Sequence, residues 1–319
     1  MTVATEPELS VILPAKNGWT IDSTLEHLRA QTACERLELL IVTESEERLN
    51  LEPAALEGFG KARVVEIGPF ERLSEAVGAG IRAATAPVVG VAENHSYPEP
   101  EWAEALIRRH KELWAGVGSA MVCANPESML GWADLLMGFS RWVEQDEAME
   151  MDGLPGHNTS YKRDVVLAYG PALDELIEVE HLLHDDLRRR GHRLYFEPAA
   201  RTRHVNITRS SSWTSNRFFG GWVFAVLRSR SWSPWRRLLY VLGSPLLPAV
   251  RLLRLVPDLR RIGRRHRIVP GVLPALAAGV VIESAGEALG YALAGRVRVR
   301  KPLDLEIDRL RHVRGSGRR

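Results

Sequence analysis

The residues best able to do chemistry follow a short apolar run, at Glu93-Asn94-His95. One carboxylate and one imidazole two positions apart can face the same point and bind a divalent cation that also contacts phosphate oxygens. The imidazole favours Mn²⁺ over Mg²⁺. The alternative interpretation is a polar loop that caps the next helix, since this triplet of residue types is common. His204, after a later predicted strand, is also open to two interpretations, as a ligand or as a structural residue.

A second group of polar residues lies on a predicted helix over residues 175–193. This helix carries Glu178, Glu180, His181 and His184 and ends in three arginines. A carboxylate at the mouth of a substrate cleft can take a proton from an acceptor hydroxyl as general base. The alternative is a solvated acidic face balanced by local ion pairs with the arginines.

Alternating strands and helices must position these residues. Apolar runs predict strands at 9–14, 37–42, 64–67 and 87–92, and the segments between them predict helices. The pattern indicates an α/β chain with a mostly parallel sheet, whose ligand site lies outside the carboxyl ends of the strands. The residues that follow the strands, at 15–18, 43–45 and 93–95, are therefore the ones expected to bind ligands.

Composition excludes several classes of protein. With 45% hydrophobic and 26% charged residues, the chain can bury a sizeable core and is not disordered overall. Cys34 and Cys123 are too few for a disulfide framework and have no metal-binding spacing. The first ten residues, MTVATEPELS, lack the basic region of a secretory signal. We therefore expect the acidic body to stay in the cytoplasm.

The charge is divided unevenly along the chain. Residues 1–200 carry a net charge of −16, residues 201–267 carry +14 and residues 268–319 carry +4. Such asymmetry predicts a polyanionic partner. Residues 207–240 hold four of the nine tryptophans together with repeated arginine, which is typical of a bilayer interface. We therefore expect an anionic membrane surface as the partner, and no nucleic acid.

The carboxyl-terminal third is apolar but poorly suited to a simple span. The stretch 238–256 contains two prolines and two arginines, which favours an interfacial helix. Residues 268–282 carry no charge but are too few to cross a bilayer, and Glu283 and Glu287 follow. We expect a surface-lying or re-entrant helical hairpin. The alternative is a buried hairpin that serves as a homo-oligomer interface.

The order of motifs resembles that of family 2 glycosyltransferases, which are inverting enzymes with the GT-A fold. The resemblance covers residues 8–206 and rests on five segments: SVILPAKNG, LELLIVTES, EAVGAGIRAATAPVVGVAENHSYPEPEW, GLPGHNTSYKR and EVEHLLHDDLRRRGHRLYFEPAARTRHVN. It implies a Rossmann-like α/β domain over 1–206, with a mixed, mostly parallel sheet and flanking helices. A basic membrane-docking segment over 207–267 and an apolar helical hairpin with a charged tail over 268–319 complete the expected organisation.

The resemblance also implies a role for each matching residue. Those expected to bind the nucleotide-sugar donor are Pro14, Ala15, Asn17, Thr43, Glu44, Gly78 and Asn94. Those expected to hold Mn²⁺ or Mg²⁺ against the donor diphosphate are Glu93, His95 and His204. Those expected to contact the acceptor are Gly156, His157, Asn158 and His181. Glu180 falls on the second residue of the family's E-D motif and is the expected catalytic base.

Four positions depart from the family pattern. Glu93-Asn94-His95 stands where the family has D-x-D, Thr43 replaces an aspartate, Gly78 sits where asparagine is common, and Val179-Glu180 replaces Glu-Asp. Glutamate and histidine can still bind a metal, and glutamate can still act as a base. There is also no Q-x-x-R-W motif, so a processive polysaccharide synthase is not expected.

The function implied is that of an inverting, hexosyltransferase-like enzyme of cell-envelope glycan synthesis. It would move a sugar from a nucleotide sugar to a lipid-linked or glycan acceptor at the cytoplasmic side of the cell membrane, as a peripheral or re-entrant protein. One alternative is a polyprenyl-phosphate monoglycosyltransferase, which uses a phosphate as nucleophile. The other is a non-catalytic module that binds a membrane or a partner on the same scaffold.

Overall fold

The computed structural model describes residues 6–143, 145–266, 269–293 and 303–314. The chain forms two compact units. The first consists of Met1–Val122 and Glu144–His204, and the second of Cys123–Val143 and Val205–Arg319. The second unit therefore includes a segment from the middle of the chain, which neither the charge distribution nor the order of motifs indicates.

Among the described residues, the first unit is built on a nine-stranded mixed sheet. The strands are β1 (Leu9–Pro14), β2 (Leu37–Thr43), β3 (Lys61–Glu66), β4 (Val88–Val91), β5 (Ser96–Pro98), β6 (Gly116–Cys123), β7 (Met149–Met151), β8 (Thr159–Lys162) and β9 (Leu194–His204). Their order is β3-β2-β1-β4-β8-β6-β9-β5, and β7 also pairs with β9. The first four strands in this order are parallel, whereas β8 joins β4 and β6 antiparallel and β5 and β7 join β9 antiparallel. The expected α/β architecture with a mixed sheet is confirmed.

Helices flank the sheet and make up most of the second unit. They are α1 (Asp22–Arg29), α2 (Glu46–Leu49), α3 (Leu73–Ala83), α4 (Trp102–His110), α5 (Met129–Phe139), α6 (Arg163–Leu167), α7 (Leu173–Glu178), α8 (Glu180–Arg189), α9 (Ser210–Arg228), α10 (Pro234–Gly243), α11 (Leu247–Gly263), α12 (Val272–Leu293) and α13 (Asp304–Ile307). Of these, α5 and α9 to α13 belong to the second unit.

The core of the first unit lies on both faces of the parallel strands. Side chains alternate along β1 because a strand has a period of two residues. Val11 is fully buried in a cluster with Leu25 of α1 and Trp102 of α4. Ile12 faces the opposite way and contacts α3 at Gly80. Since helices cover both faces of the sheet, the polar loops after the strands lie at the carboxyl edge of the sheet.

The predicted acidic helix over 175–193 is wrong in one respect, because it is broken at Val179. This residue has non-helical dihedral angles (φ −135°, ψ 89°), so α7 ends before it and α8 begins after it. Helix α7 is held against α3 by Asp174, which forms two hydrogen bonds of 3.0 and 3.1 Å with Arg82. Helix α8 buries Leu183 separately. The break places Glu180 in the first turn of its own helix.

The predicted loop over 153–164 is also shorter than expected. Residues Thr159–Lys162 form β8, which pairs antiparallel with β4 through Val88↔Lys162 and Gly90↔Ser160. The strand cannot be recognised in the sequence because its residues are polar, whereas a buried strand is expected to be apolar. This pairing brings the preceding loop to the carboxyl end of β4.

In the second unit, α9 and α12 approach each other at backbone distance. A Cβ atom at Gly221 would lie 2.1 Å from the carbonyl oxygen of Glu283, and one at Gly286 would lie 2.1 Å from that of Phe218. Only glycine allows this contact. Helix α12 is continuous, so the predicted hairpin is absent from residues 272–293. The remainder of that prediction falls partly on residues 294–302 and 315–319, which lie outside the described residues.

A buried carboxylate holds further parts of the second unit together. Asp134 of α5 is 3% exposed. Its oxygens lie 2.8 Å from a guanidinium nitrogen of Arg217 in α9 and 3.4 Å from one of Arg309, and one oxygen accepts the Ile207 amide at 3.2 Å. Because a buried charge is costly unless it is paired, these bonds fix α5 to α9 and to the carboxyl-terminal segment.

Two helical stretches of the described residues are long and apolar enough to cross a membrane, by length and composition alone. They are Pro234–Gly263, which contains α10 and α11 in succession, and Val272–Leu293. Of the 18 most apolar consecutive residues in each stretch, only 6% are buried in the first stretch, against 44% in the second. The two stretches therefore differ in how much protein already covers them.

Another buried carboxylate lies in the first unit. Glu38 of β2 is 1% exposed and accepts hydrogen bonds from the Ser10 hydroxyl of β1 and, at 2.7 Å, from the Thr85 amide. Burial alone would raise the pKa of Glu38, but these hydrogen bonds and the charge of Arg63 outweigh it and lower the pKa. A group whose pKa is lowered by folding stabilises the fold above its unfolded pKa and loses that contribution in acid.

We therefore expect Glu38→Gln to lower the free energy of unfolding by about 1–3 kcal/mol at neutral pH, because a neutral amide accepts these bonds less strongly. The difference from the wild type should shrink as the pH falls through the lowered pKa of Glu38. Urea unfolding at neutral pH and at about pH 3, well below the pKa of an unfolded glutamate, measures both values. The matched control is Glu57→Gln, at an exposed position of the same unit. If the difference in free energy of unfolding between Glu38→Gln and the wild type is the same at both pH values, the lowered pKa of Glu38 is wrong.

Candidate active site

The loop after β4 has Glu93 at its centre. This residue is 5% exposed. Its Oε2 atom accepts hydrogen bonds from the Ser96 hydroxyl at 3.0 Å and from the Asn158 side-chain amide at 3.2 Å. Asn158 also donates to Ser96 at 3.2 Å. The carboxylate is therefore held in one orientation by residues from two separate segments.

Two imidazoles approach the same carboxylate. His95 Nε2 lies 3.4 Å from Glu93 Oε1, and His204 Nε2 lies 3.4 Å from Glu93 Oε2. His204 is more than 100 residues away in the chain, but it ends β9, and β9 pairs with β5 so that His204 is directly opposite Ser96. The rings of His95 and His204 meet edge to face with centroids 4.9 Å apart. Sheet pairing therefore brings the late histidine to the loop.

The orientation of His95 is set by its neighbour. Asn94 Oδ1 lies 2.9 Å from His95 Nδ1. Because an amide oxygen can only accept, His95 Nδ1 donates to it, and this bond turns Nε2 toward Glu93. A hydrogen bond of this type on the far nitrogen is characteristic of histidines that bind metals.

The electrostatics favour an ionised Glu93. Burial alone would raise the pKa of its carboxyl group, but the neighbouring His95 and His157, with the hydrogen bond from His204, outweigh burial and hold the pKa well below its usual range. The group therefore carries a negative charge at neutral pH and is ready to bind a cation.

The donor set fits a divalent cation. One carboxylate oxygen of Glu93 and one ring nitrogen each of His95 and His204 lie within 4.8 Å of one another. Two imidazoles and one carboxylate suit Mn²⁺ or Zn²⁺ better than Mg²⁺, which prefers oxygen ligands. Three protein ligands leave coordination positions for a substrate.

The loop before β8 carries a histidine that lies between two carboxylates. Asn158 adopts a left-handed conformation (φ 66°) and its amide donates to the Val91 carbonyl at 2.9 Å, which holds the loop at the end of β4. His157 Nε2 then lies 3.4 Å from Glu180 Oε1 and 3.9 Å from Glu93 Oε1. His157 thus connects the proposed base to the proposed metal ligands.

The carboxylate of Glu180 lies against the backbone of the same loop. A Cβ atom at Gly156 would lie 2.7 Å from Glu180 Cδ and 2.8 Å from each of its carboxylate oxygens. Since α8 begins at Glu180, its carboxylate also lies near the positive end of the helix dipole. Glycine at position 156 is therefore required for the carboxylate to occupy this place.

A buried hydrogen-bonded chain anchors this loop to α8. His184 Nδ1 accepts the Leu154 amide at 3.4 Å, and its Nε2 lies 2.9 Å from the Tyr161 hydroxyl. Burial lowers the pKa of His184 to about 3, with a smaller effect from His181, so the ring is neutral. Its single proton is then on Nε2 and is donated to Tyr161. His181 itself is exposed, beside Gly153.

The residues expected to bind the nucleotide lie at the ends of β1 and β2. Pro14, Ala15 and Thr43 are buried. Glu44 is partly exposed, and its Oε1 lies 3.0 Å from Nζ of Lys16. The ring centroid of the buried Phe70 lies 5.5 Å from the same Nζ.

Asn17 and Gly78 occupy other surroundings. Asn17 begins a short helical turn and lines an open cavity of about 410 Å³ that also contains Trp19 and Arg48. A Cβ atom at Gly78 would lie 1.9 Å from Asp174 Oδ1, so this glycine is required for the packing of α3 on α7. Their expected contacts with the donor stay predictions.

The structure brings together most of the predicted metal, base and acceptor residues, and it shows contacts that sequence reasoning missed. The hydrogen bonds from Ser96 and Asn158 to Glu93 were not expected, nor was the position of His157 between Glu93 and Glu180. No signal in the sequence indicated these contacts, because the strand that positions the loop is polar and was predicted as part of the loop.

A comparison with models of protein families gives a match to the one described as Glycosyl transferase family 2. The match covers residues 10–170, which is half of the chain. It includes Glu93, His95 and Asn158, whereas Glu180 and His204 lie beyond it. No curated protein matches the chain.

The cluster predicts stabilisation by a divalent cation. We expect Mn²⁺ to raise the melting temperature of the wild type, with about 2.7 kcal/mol of stabilisation at 100 times the dissociation constant. His95→Ala and His204→Ala should each abolish most of this shift because each removes one of three ligands. Differential scanning fluorimetry measures it, with His192→Ala as the control at a partly exposed histidine of the same unit. An equal shift in all three variants would place the cation elsewhere.

Proposed function

We propose a reaction for this chain on one premise: it belongs to glycosyl transferase family 2. Membership means that the chain carries a glycosyltransferase domain, which uses a nucleotide-sugar donor and an acceptor. We infer further that the enzyme is inverting, that it transfers a hexose, and that its acceptor is a lipid-linked or glycan hydroxyl at the cytoplasmic face of the membrane.

The observation that carries this proposal is the position of Glu180. Its carboxylate rests on Gly156 and lies 3.4 Å from His157, which in turn lies 3.9 Å from Glu93. A base and a cluster suited to a cation on a diphosphate are thus separated by one imidazole ring. This spacing suits a reaction in which the acceptor and the donor diphosphate meet between them.

The proposed reaction is a single displacement. Glu180 takes the proton of the acceptor hydroxyl, and the oxygen attacks the anomeric carbon from the face opposite the leaving group. The bond from the anomeric carbon to the diphosphate oxygen breaks, so the nucleotide diphosphate departs and the configuration inverts. A cation bound by Glu93, His95 and His204 would supply positive charge to the departing diphosphate.

The reaction also requires positive charge near the donor diphosphate and a fixed site for the acceptor, and residues of the chain can supply both. Lys16 adds a positive charge at the end of β1, where the donor is expected, in a unit whose overall charge is negative. The buried ring of Phe70 lies beside the ammonium group and supports its position. The fixed loop at Gly156–Asn158 supports an acceptor site next to Glu180. Rigid positioning of this kind accelerates transfer because it lowers the entropic cost of bringing the reactants together.

A lipid-linked acceptor is supported by the second unit. Two of its helical stretches are long and apolar enough to contact a membrane, and residues 201–267 carry a net charge of +14. An anionic membrane surface attracts such a segment. An enzyme held there would work on acceptors that are themselves confined to the membrane.

The base is tested by Glu180→Gln. We expect kcat to fall by about 10²–10⁴-fold with little change in donor affinity, because the amide keeps the shape but cannot accept the proton. Release of nucleotide diphosphate with a set of nucleotide sugars and acceptors measures the rate, and isothermal titration measures donor binding. The control is Asp185→Asn, at an exposed position of α8. Full activity of the variant would remove Glu180 from this role and favour a phosphate as the nucleophile.

The role of the loop is tested by Gly156→Ala. The added methyl group must displace the Glu180 carboxylate, so we expect transfer to fall at least about tenfold while the melting temperature stays close to that of the wild type. The matched control is Gly153→Ala in the same loop, where the nearest atom to the new Cβ is His181 Nδ1 at 3.8 Å. Equal activity of the two variants would contradict the proposed position of the base.

If no donor binds to the wild type, a non-catalytic role is favoured.

A further inference from the structure

The exposed apolar side chains of the protein are concentrated on α10 and α11. Of twelve large hydrophobic residues that are exposed in the described part of the chain, seven lie between positions 235 and 253. The most exposed are Trp235 at 66%, Leu242 at 67%, Leu246 at 69% and Leu253 at 71%. Isolated exposed leucines need no explanation, but a contiguous group of this size marks an interaction surface.

These residues form one continuous stripe. Within α10, Trp235 and Leu242 are seven residues apart and therefore lie on the same face, and within α11 Val250 and Leu253 are three apart and share a face. Leu246, in the turn between the two helices, is exposed as well. The stripe runs along α10, the short turn at Ser244–Leu246 and α11, over about 27 Å. We call it the outer stripe. Its length distinguishes it from a pocket for a small ligand.

The opposite face of the same helices is attached to the second unit. Arg251 forms ion pairs with Glu287 and, at 3.0 Å, with Glu283, both of α12. Arg237 donates to the Ser229 carbonyl at 3.1 Å. These side chains lie on the far side of the helix from the outer stripe. The helices therefore present only one face outward, and a complete crossing of a membrane would expose these charges to lipid.

Charge identifies the partner. No acidic residue occurs between Val205 and Pro257, and Asp258 lies 3.5 Å from Arg261. Arg236 and Arg254 are exposed beside the outer stripe. A second copy of the chain on this face would bring two basic surfaces together, which is unfavourable. An anionic bilayer instead accepts the apolar side chains and places phosphates beside the arginines.

We propose that the outer stripe of α10 and α11 lies in the surface of an anionic lipid bilayer, while α12 remains inside the second unit and does not cross the membrane. The close glycine contacts of α12 with α9, and the pairing of its two glutamates with Arg251 and Arg217, give α12 a protein environment of its own. The inference rests on the proposed function for the membrane location, but it does not depend on catalysis.

The test is flotation of the full-length protein with vesicles. The wild type should bind vesicles of phosphatidylcholine with about 30 mol% phosphatidylglycerol, bind pure phosphatidylcholine weakly, and be released by high salt without detergent. Leu242→Glu combined with Leu246→Glu should weaken binding at least about tenfold, because two charges would enter the apolar layer. Leu113→Glu is the matched control, since Leu113 is 91% exposed in the first unit.

Other results overturn the proposal. Undiminished binding of the double variant, with an unchanged melting temperature, would exclude the outer stripe as the lipid contact. Extraction that requires detergent would mean that a helix crosses the bilayer. A wild type that forms dimers and ignores vesicles, with dimers lost in the double variant, would assign the face to a second copy. Activity toward a soluble acceptor separates the two proposals, because the double variant should keep it whereas Glu180→Gln should lose it and still bind vesicles.

Discussion

The burial of one charged carboxylate governs the architecture of the first unit. Glu93 is almost removed from water, and a charge in that position must be matched by donors or cations. The matching groups come from its own loop, from the loop before β8 and from the last residue of β9. Those segments reach it only because β8 adds antiparallel to β4 and β5 adds antiparallel to β9. The pairings of β8 with β4 and of β5 with β9 therefore both bring partners to Glu93 and assemble the candidate site.

Sequence patterns predicted the parallel half of this sheet well and the antiparallel half poorly. The runs at Leu9–Pro14 and Leu37–Thr43 are buried on both faces, so their composition is apolar throughout and easily recognised. Strand β8 is buried too, but it reads TSYK because Ser160 bonds to His110 and Tyr161 bonds to His184. Local composition cannot reveal a strand whose polar side chains are satisfied by partners far along the chain. The break at Val179 also depends on distant partners, because α7 is bonded to Arg82 of α3 whereas α8 is bonded through His184 to Tyr161.

The sequence predicted which residues belong to the candidate site, but it did not predict the contacts between them. Glu93, His95, His204 and Glu180 were identified from motif order, whereas the bridging position of His157 depends on a left-handed residue at Asn158 that no spacing rule indicates. The net charge of the whole chain, +2, gives no sign that residues 205–257 of the second unit contain no acidic residue; only a count by segment shows it. The ion pairs of Arg251 and Arg217 also show that some of the basic residues neutralise glutamates inside the unit, and only the remainder face outward.

The pairing of Ser96 with His204 makes the site a reporter of strand alignment. Side chains alternate between the two faces of a sheet, so a slip of one residue between β5 and β9 would turn His204 away from Glu93 and leave a buried charge short of a partner. A misaligned chain would therefore be destabilised at the candidate site itself. Correct alignment of β5 with β9 and assembly of the candidate cation site therefore depend on the same pairing, and an insertion of one residue in β9 before His204 would disrupt both.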